Sequence, residues 1–186
     1  MKLKAILAGI CLACVLPMSA QTESFNRVTV GYSGLLPGGD LGKGMNTMSG
    51  FTVGYNHGFG LGAKPMFIEV GGNFNYNSSN GFSLLSLAIP VNYSYWFNVS
   101  DNISIAPYTG INFKINMYGS NDFFKAEGTK RFQMGWQIGV GANISKFYVG
   151  LQYGIDFLPL QKADYGKYGS YSLNTSSITV NVGYNF

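Results

Sequence analysis

Ser177-Ile178-Thr179-Val180-Asn181-Val182-Gly183-Tyr184-Asn185-Phe186 closes the sequence, and its alternation decides the fold. Side chains of a β-strand point to opposite faces with a period of two. Ile178, Val180, Val182, Tyr184 and Phe186 therefore share one face, and Ser177, Thr179, Asn181, Gly183 and Asn185 share the other. The apolar face ends in two aromatics, the second of them the last residue of the sequence. Water gives no reason to leave such a face open. A strand crossing a bilayer needs an apolar face toward lipid and an aromatic rim.

Seven earlier segments read the same way. Asn26 to Gly34 sets Val28, Val30 and Tyr32 against Thr29, Gly31 and Ser33, and Gly50 to Asn56 sets Phe51, Val53 and Tyr55 against Thr52, Gly54 and Asn56. The pattern recurs over Met66 to Asn77, Phe82 to Val99, Ile103 to Tyr118, Arg131 to Ser145 and Phe147 to Leu158. Between them lie stretches rich in Gly, Pro, Asn and Ser, which break strands and make turns. The even count of eight suits an antiparallel barrel with both termini at one end. With both termini on the inner side, the outer loops are 35–48, 78–81, 119–130 and 159–174, and the inner turns are 57–65, 100–102 and 145–146. Pro90 and Pro107 each remove a ladder donor. A closed wall has no edge to hide them, so bulges are expected there.

Composition agrees. Charged residues are 11% of the chain and aromatics 16%, with 26 glycines, where a soluble domain carries about 25% charged residues. Strands that hide their apolarity one residue in two explain the shortage without any long apolar helix. The first twenty residues read as a signal peptide. Lys2 and Lys4 precede the apolar run Ala5 to Leu16, and Pro17-Met18-Ser19-Ala20 leads into Gln21. That run is too short to span a bilayer as a helix, which needs about 20 residues. Cys11 and Cys14 fall inside it, and the residues before each fit a lipidation box poorly. Residues 21–186 then form the barrel domain and hold no cysteine for a disulfide, thiol nucleophile or thiolate metal site. Without Lys2 and Lys4, ten Lys and Arg face eight Asp and Glu. Nucleic acid asks for a concentrated basic stripe instead.

In these strands, and above all in Val182, Tyr184 and Phe186, the chain resembles the small eight-stranded outer-membrane β-barrel proteins of diderm bacteria. That group includes OmpA-type barrel domains and OmpX and is described broadly as the outer-membrane β-barrel or porin family. The resemblance implies an all-β, antiparallel, up-and-down transmembrane barrel preceded by a cleavable signal peptide. It implies that Val182, Tyr184 and Phe186 form the carboxy-terminal signal read by the barrel-insertion machinery. It also implies periplasmic chaperones and outer-membrane lipids as partners and no cofactor, and no room is expected after Phe186 for a peptidoglycan-binding domain. The competing fold is a soluble lipocalin-like barrel of eight strands. Its water-facing surface would then be Asn, Gln, Ser and Gly, far below the 25–35% charge expected of a soluble surface.

The interior of an eight-stranded barrel is just wide enough to be filled by side chains. Its charged members on this reading are Glu69, Lys114 and Asp156. Stepping across hairpins from turn centres puts the three within a few residues' depth, with Lys114 between the two carboxylates. Burying any of them unpaired is costly, so a mutual ion-pair cluster is expected. The alternative is a charged constriction that selects solutes. A catalytic reading asks for a His with a Ser and a carboxylate. The one histidine, His57, lies among Gly58, Phe59 and Gly60 with no Ser two residues away, which favours a turn role. No metal-ligand spacing is present, and the G-x-G pairs such as Gly139 and Gly141 precede no helix. Tyr165, Tyr168 and Tyr171 with Lys162 and Lys167 give the outer loops contact chemistry suited to recognition. The expected function is non-enzymatic: envelope integrity or narrow solute passage, with surface recognition through 119–130 and 159–174 as the alternative.

Overall fold

The alternating faces close into a ring. A computed structural model describes residues 24–62, 65–164 and 170–186. Its strands are β1 (Phe25–Gly38), β2 (Met48–Gly60), β3 (Met66–Ser79), β4 (Phe82–Tyr95), β5 (Phe97–Ser100), β6 (Ile103–Gly119), β7 (Phe132–Ile144), β8 (Phe147–Asp156), β9 (Gln161–Asp164) and β10 (Ser170–Asn185). Eight of them form the wall in the order β1-β2-β3-β4-β6-β7-β8-β10, and antiparallel pairing of β1 with β10 closes it. β5 prolongs the line of β4 beyond Trp96 and pairs with β6, while β9 forms a hairpin on the far end of β10. The expected signal peptide, residues 1–20, lies outside the described residues, as do Tyr165, Lys167 and Tyr168.

Register gives the ring its pitch. Partners lead from Asn26 to His57, Val70, Val91, Ile111, Trp136, Ile155 and Ser176, and return to β1 at Leu36, ten residues further along. A stagger of this kind requires the strands to tilt, typically by 35–45°. The two faces are inverted relative to a soluble protein. Val182, Tyr184 and Phe186 are 52%, 39% and 60% exposed on the outer wall, and the same holds for Val30, Phe51, Phe74, Ile138 and Leu151. Inside are Arg27, Glu69, Asn92, Lys114, Gln133, Gln137 and Asp156, all buried. An apolar exterior around a polar, hydrogen-bonded interior is stable where the outer medium is hydrocarbon.

The glycines fit the inner taper. Gly54 pairs with Asn73, Gly110 with Asn92 and Gly139 with Tyr108 across the ladders. A Cβ on these glycines would stand 1.8 Å from Asn73 Oδ1, 2.4 Å from Asn92 Oδ1 and 2.3 Å from the Tyr108 ring. Each large side chain lies over the glycine opposite it, so a narrow lumen accommodates one bulky residue per pair.

Several boundaries differ from the sequence reading. β2 continues to Gly60, so the 57–65 connection shortens to a turn after Gly60, with Leu61 N donating to Met66 O. The single strand expected over Phe82 to Val99 breaks at Trp96, whose backbone N donates to Pro65 O. β10 begins at Ser170, inside the expected 159–174 loop, because β9 gives its upper end a partner. No register shift falls at either proline. Pro107 pairs with Val140, and Pro90 pairs with Asn112 on β6. On the β3 side the pairing lapses between Val70–Val91 and Asn73–Ala88, where Pro90 has no N–H to give. The register shifts lie elsewhere, one between Asn98 and Ser100 of β5 and one between Leu85 and Ser86, which face Tyr118 and Asn116. Arg131 Nη1 donates to Met117 O at 2.6 Å, satisfying a carbonyl of the residue the second shift displaces.

Candidate functional site

The lumen is built in two charged layers. At the end carrying the termini, Arg27 of β1 is the centre. Its Nη1 donates to Glu69 Oε2 at 3.2 Å, its Nε to Asn185 Oδ1 at 2.7 Å and its Nη2 to Asn143 Oδ1 at 3.4 Å. Its guanidinium carbon stands 3.8 Å from the Tyr148 ring centroid and 4.7 Å from that of Phe25. Phe25, Phe67 and Trp96 pack edge-on and tilted against one another, with ring centroids 4.7–5.2 Å apart. Ser94 Oγ donates to the second Glu69 oxygen at 2.6 Å. Arg is suited to this position because a planar, weakly hydrated cation can stack on rings and hydrogen-bond in its own plane.

The second layer lies toward the loop end. Lys114 Nζ donates to Asp156 Oδ2 at 2.6 Å. The Thr175 hydroxyl donates to the same oxygen, Gln133 Nε2 donates to Thr175 Oγ1 at 3.0 Å, and Asn116 Nδ2 donates to Gln133 Oε1 at 2.9 Å. Above this network Leu35, Met48, Leu84, Leu160 and Leu173 form a buried apolar cluster, flanked by Leu41, Phe82, Phe123 and Phe124. Between the layers, Gln137 Nε2 donates to Asn92 Oδ1 at 2.7 Å and Gln152 Nε2 to Gln137 Oε1 at 3.2 Å. A polar cavity of about 30 Å³ remains there, lined by residues including Asn73, Asn112 and Asn181. That is room for a water or two.

Glu69, Lys114 and Asp156 are thus all inside, but they do not form one cluster. Glu69 pairs with Arg27, and Lys114 pairs with Asp156. The correction has a geometric cause. The β3–β4 turn is the two-residue Asn80-Gly81, with positive φ at both positions, the primed hairpin turn that an Asn-Gly pair favours. It sets Glu69 opposite Asn92 rather than Pro90, and Asn92 opposite Gly110. Lys114 is then four residues further along β6, roughly 13 Å at strand rise. Arg27 was missed because alternation was read only from Val28 onward. Carrying the inward set Ser33, Gly31, Thr29 back by two residues would have found it.

Both pairs skip a strand in the same way. Arg27 and Glu69 face Asn56 and Gly58 of β2, and Lys114 and Asp156 face Gln133 and Gly135 of β7. In each case the carboxylate lies across from a glycine; the Asp156 carboxylate lies over Gly135, whereas the space over Gly58 holds the Phe25 ring.

His57 is on the outer face near the end of β2. Its Nδ1 is 2.8 Å from Asn26 Oδ1, which also accepts the Tyr55 hydroxyl at 2.6 Å. Among the described residues no group of three or more His, Cys, Asp or Glu is placed to hold a metal ion.

A closed eight-stranded barrel with an apolar exterior and a polar lumen held by ion pairs is the architecture of a protein that crosses a membrane with strands. The chain belongs to the family described as outer membrane protein beta-barrel domain, whose model matches residues 5–186. It is a protein of the bacterial outer membrane. No curated protein matches it. Among solved structures it is similar to the outer membrane enzyme PagL, at 12% identity over 86% of this chain and 98% of that one, with a TM-score of 0.55. It is similar also to Neisserial surface protein A, at 11% identity over 89% and 100% with a TM-score of 0.51. OprG from Pseudomonas aeruginosa gives 10% identity over 91% and 98%, also with 0.51. At such identities the likeness is one of fold.

Proposed function

We propose that this protein is a plugged, non-enzymatic outer-membrane barrel that contributes to envelope integrity and does not conduct solutes. The carrying observation is that the lumen is filled at both ends, by the caged Arg27 at one and the five-residue apolar cluster at the other. Gln133 and Gln137, both 1% exposed, occupy the interior between them. Long loops on one side and tight turns on the other orient the termini toward the periplasm. Val182, Tyr184 and Phe186, on the lipid-facing side of the last strand, serve as the insertion signal in this reading. The non-enzymatic part rests on His57, whose bonded partner is an amide at the outer wall rather than a hydroxyl nucleophile or a carboxylate.

The test is single-channel recording of refolded protein in a planar bilayer, with insertion verified by strand-rich circular dichroism and resistance to unfolding in detergent. Inserted protein is expected to stay electrically silent. Discrete openings that persist at high salt overturn the plug.

A second reading, surface recognition, is favoured by how the loop end is built. The segment after the short helix Phe123–Lys125 pairs with β9 through a Thr129–Gln161 bridge, Lys130 N to Leu160 O at 2.8 Å and Lys162 N to Gly128 O at 2.9 Å. Residues 128–130 of one loop and 160–162 of the other are therefore joined by backbone hydrogen bonds.

A further inference from the structure

At the end carrying the termini, the β5–β6 hairpin reaches past the turn that joins β2 and β3, because β5 continues to Ser100 while Trp96 is already opposite Pro65. Its inner surface, with the end of β7, bounds an open vestibule of about 170 Å³. Trp96, Asn98, Asp101, Asn102, Asn143 and Ser104 line it. Its floor is rigid. Asn143 is fixed through both ends of its amide, accepting from Arg27 and Asn185 and donating to Ser104 Oγ at 3.1 Å.

The lining chemistry is selective. It offers three primary amides, a carboxylate, hydroxyls and an indole, and no cationic side chain. Anionic ligands therefore find a repelling carboxylate and no counter-charge. Purely apolar ligands would strand the amides without partners. What matches amides and a carboxylate beside an indole is a neutral ring carrying several hydroxyls, with an apolar face for the aromatic and donors and acceptors around its rim. The volume fits one such ring rather than an oligomer, since pockets for larger ligands begin at about 300 Å³. The geometry points to a neutral pyranoside site in this vestibule, open to the compartment that the termini face. The sugar is either a free solute or one residue of an insoluble glycan.

The chain supplies its own reporter and its own control. It has two tryptophans. Trp96 lines the vestibule, whereas Trp136 lies on the outer wall, opposite Ile111 and Ile155. Full-length protein labelled with ¹⁵N at tryptophan, refolded in detergent micelles, is titrated with N-acetylglucosamine and with methyl glucoside. A parallel sample is sedimented with insoluble peptidoglycan. A saturable shift of the Trp96 indole resonance with Trp136 unmoved is expected, together with weakening of about fivefold in Asn98→Ala, the loss of one hydrogen bond. Asn98 is exposed and its side chain bonds none of the described residues, while its ladder pairing with Ser104 is through the backbone, so this variant keeps the fold. Shifts with the monosaccharides but no co-sedimentation identify a free solute, and both together identify the glycan. The proposal is overturned if Trp96 does not move, if it moves only in step with Trp136, or if glycerol or spermidine produces the same shift.

Discussion

The two charged layers of the lumen use the same device in unequal surroundings. Both place a cation opposite an amide and a carboxylate opposite a glycine, with the pair bridging over a middle strand. In the Arg27 layer the cation is held by three hydrogen-bonding side chains and stacked on aromatic rings, so charge and packing are satisfied together. In the Lys114 layer charge is handled by a polar chain through Thr175 and Gln133, and packing is delegated to the separate apolar cluster above it. One layer is integrated and the other is divided. A single substitution should therefore cost more in the first than in the second.

The comparison can be broken most directly at Arg27. Arg27→Met strands Glu69 away from water and removes the stack, with an expected loss of ~3–5 kcal/mol. It is read as the shift of the urea midpoint in lipid vesicles. The double variant Arg27→Met/Glu69→Leu should recover much of that loss, because no unpaired charge remains. A single variant as stable as the parent would mean that the cage is not integrated. Lys114→Met should cost less, about 2 kcal/mol, since Thr175 still donates to Asp156 and no aromatic ring loses a packed cation. The same unfolding assay checks it, and a loss equal to that of Arg27→Met would erase the distinction. The smallest effect is expected at the rim of the apolar cluster. Phe124→Ala removes a partly buried ring and the contact of the Arg131 guanidinium at 4.6 Å, a loss of about 1 kcal/mol. Near-unchanged stability in Phe124→Ala beside a large loss in Leu84→Ala would place the weight of the cluster on its buried core.

The wall was legible in the sequence for a physical reason. Period-two alternation is a local property, so Val28-Thr29-Val30 and Trp136-Gln137-Ile138 announce their faces without knowledge of any partner. Pairing inside the lumen is not local. Arg27 meets Glu69 because the β1–β2 and β2–β3 registers set them opposite Asn56 and Gly58 of one strand, and neither register shows in the alternation of a single strand. The strand prolines mislead for a related reason. Pro90 is accommodated by a lapse in one ladder, facing two glycines, Gly71 and Gly72, rather than by an inserted residue. The Asn80-Gly81 pair is a short-range signal present in the sequence, and it sets the register of β3 against β4.

The bond between Arg27 and Asn185 joins the first wall strand to the last. A half-assembled sheet, with β10 not yet docked, holds its most buried cation short of a ligand, and a barrel whose seam begins to part returns to that state. The seam is thereby fastened from within by a clasp that engages only when the circle is complete. Opening it forfeits the ladder between β1 and β10 and the coordination of the guanidinium at once. Closure becomes a single cooperative event, in which the penultimate residue of the sequence completes the shell begun by one of the earliest residues of the wall.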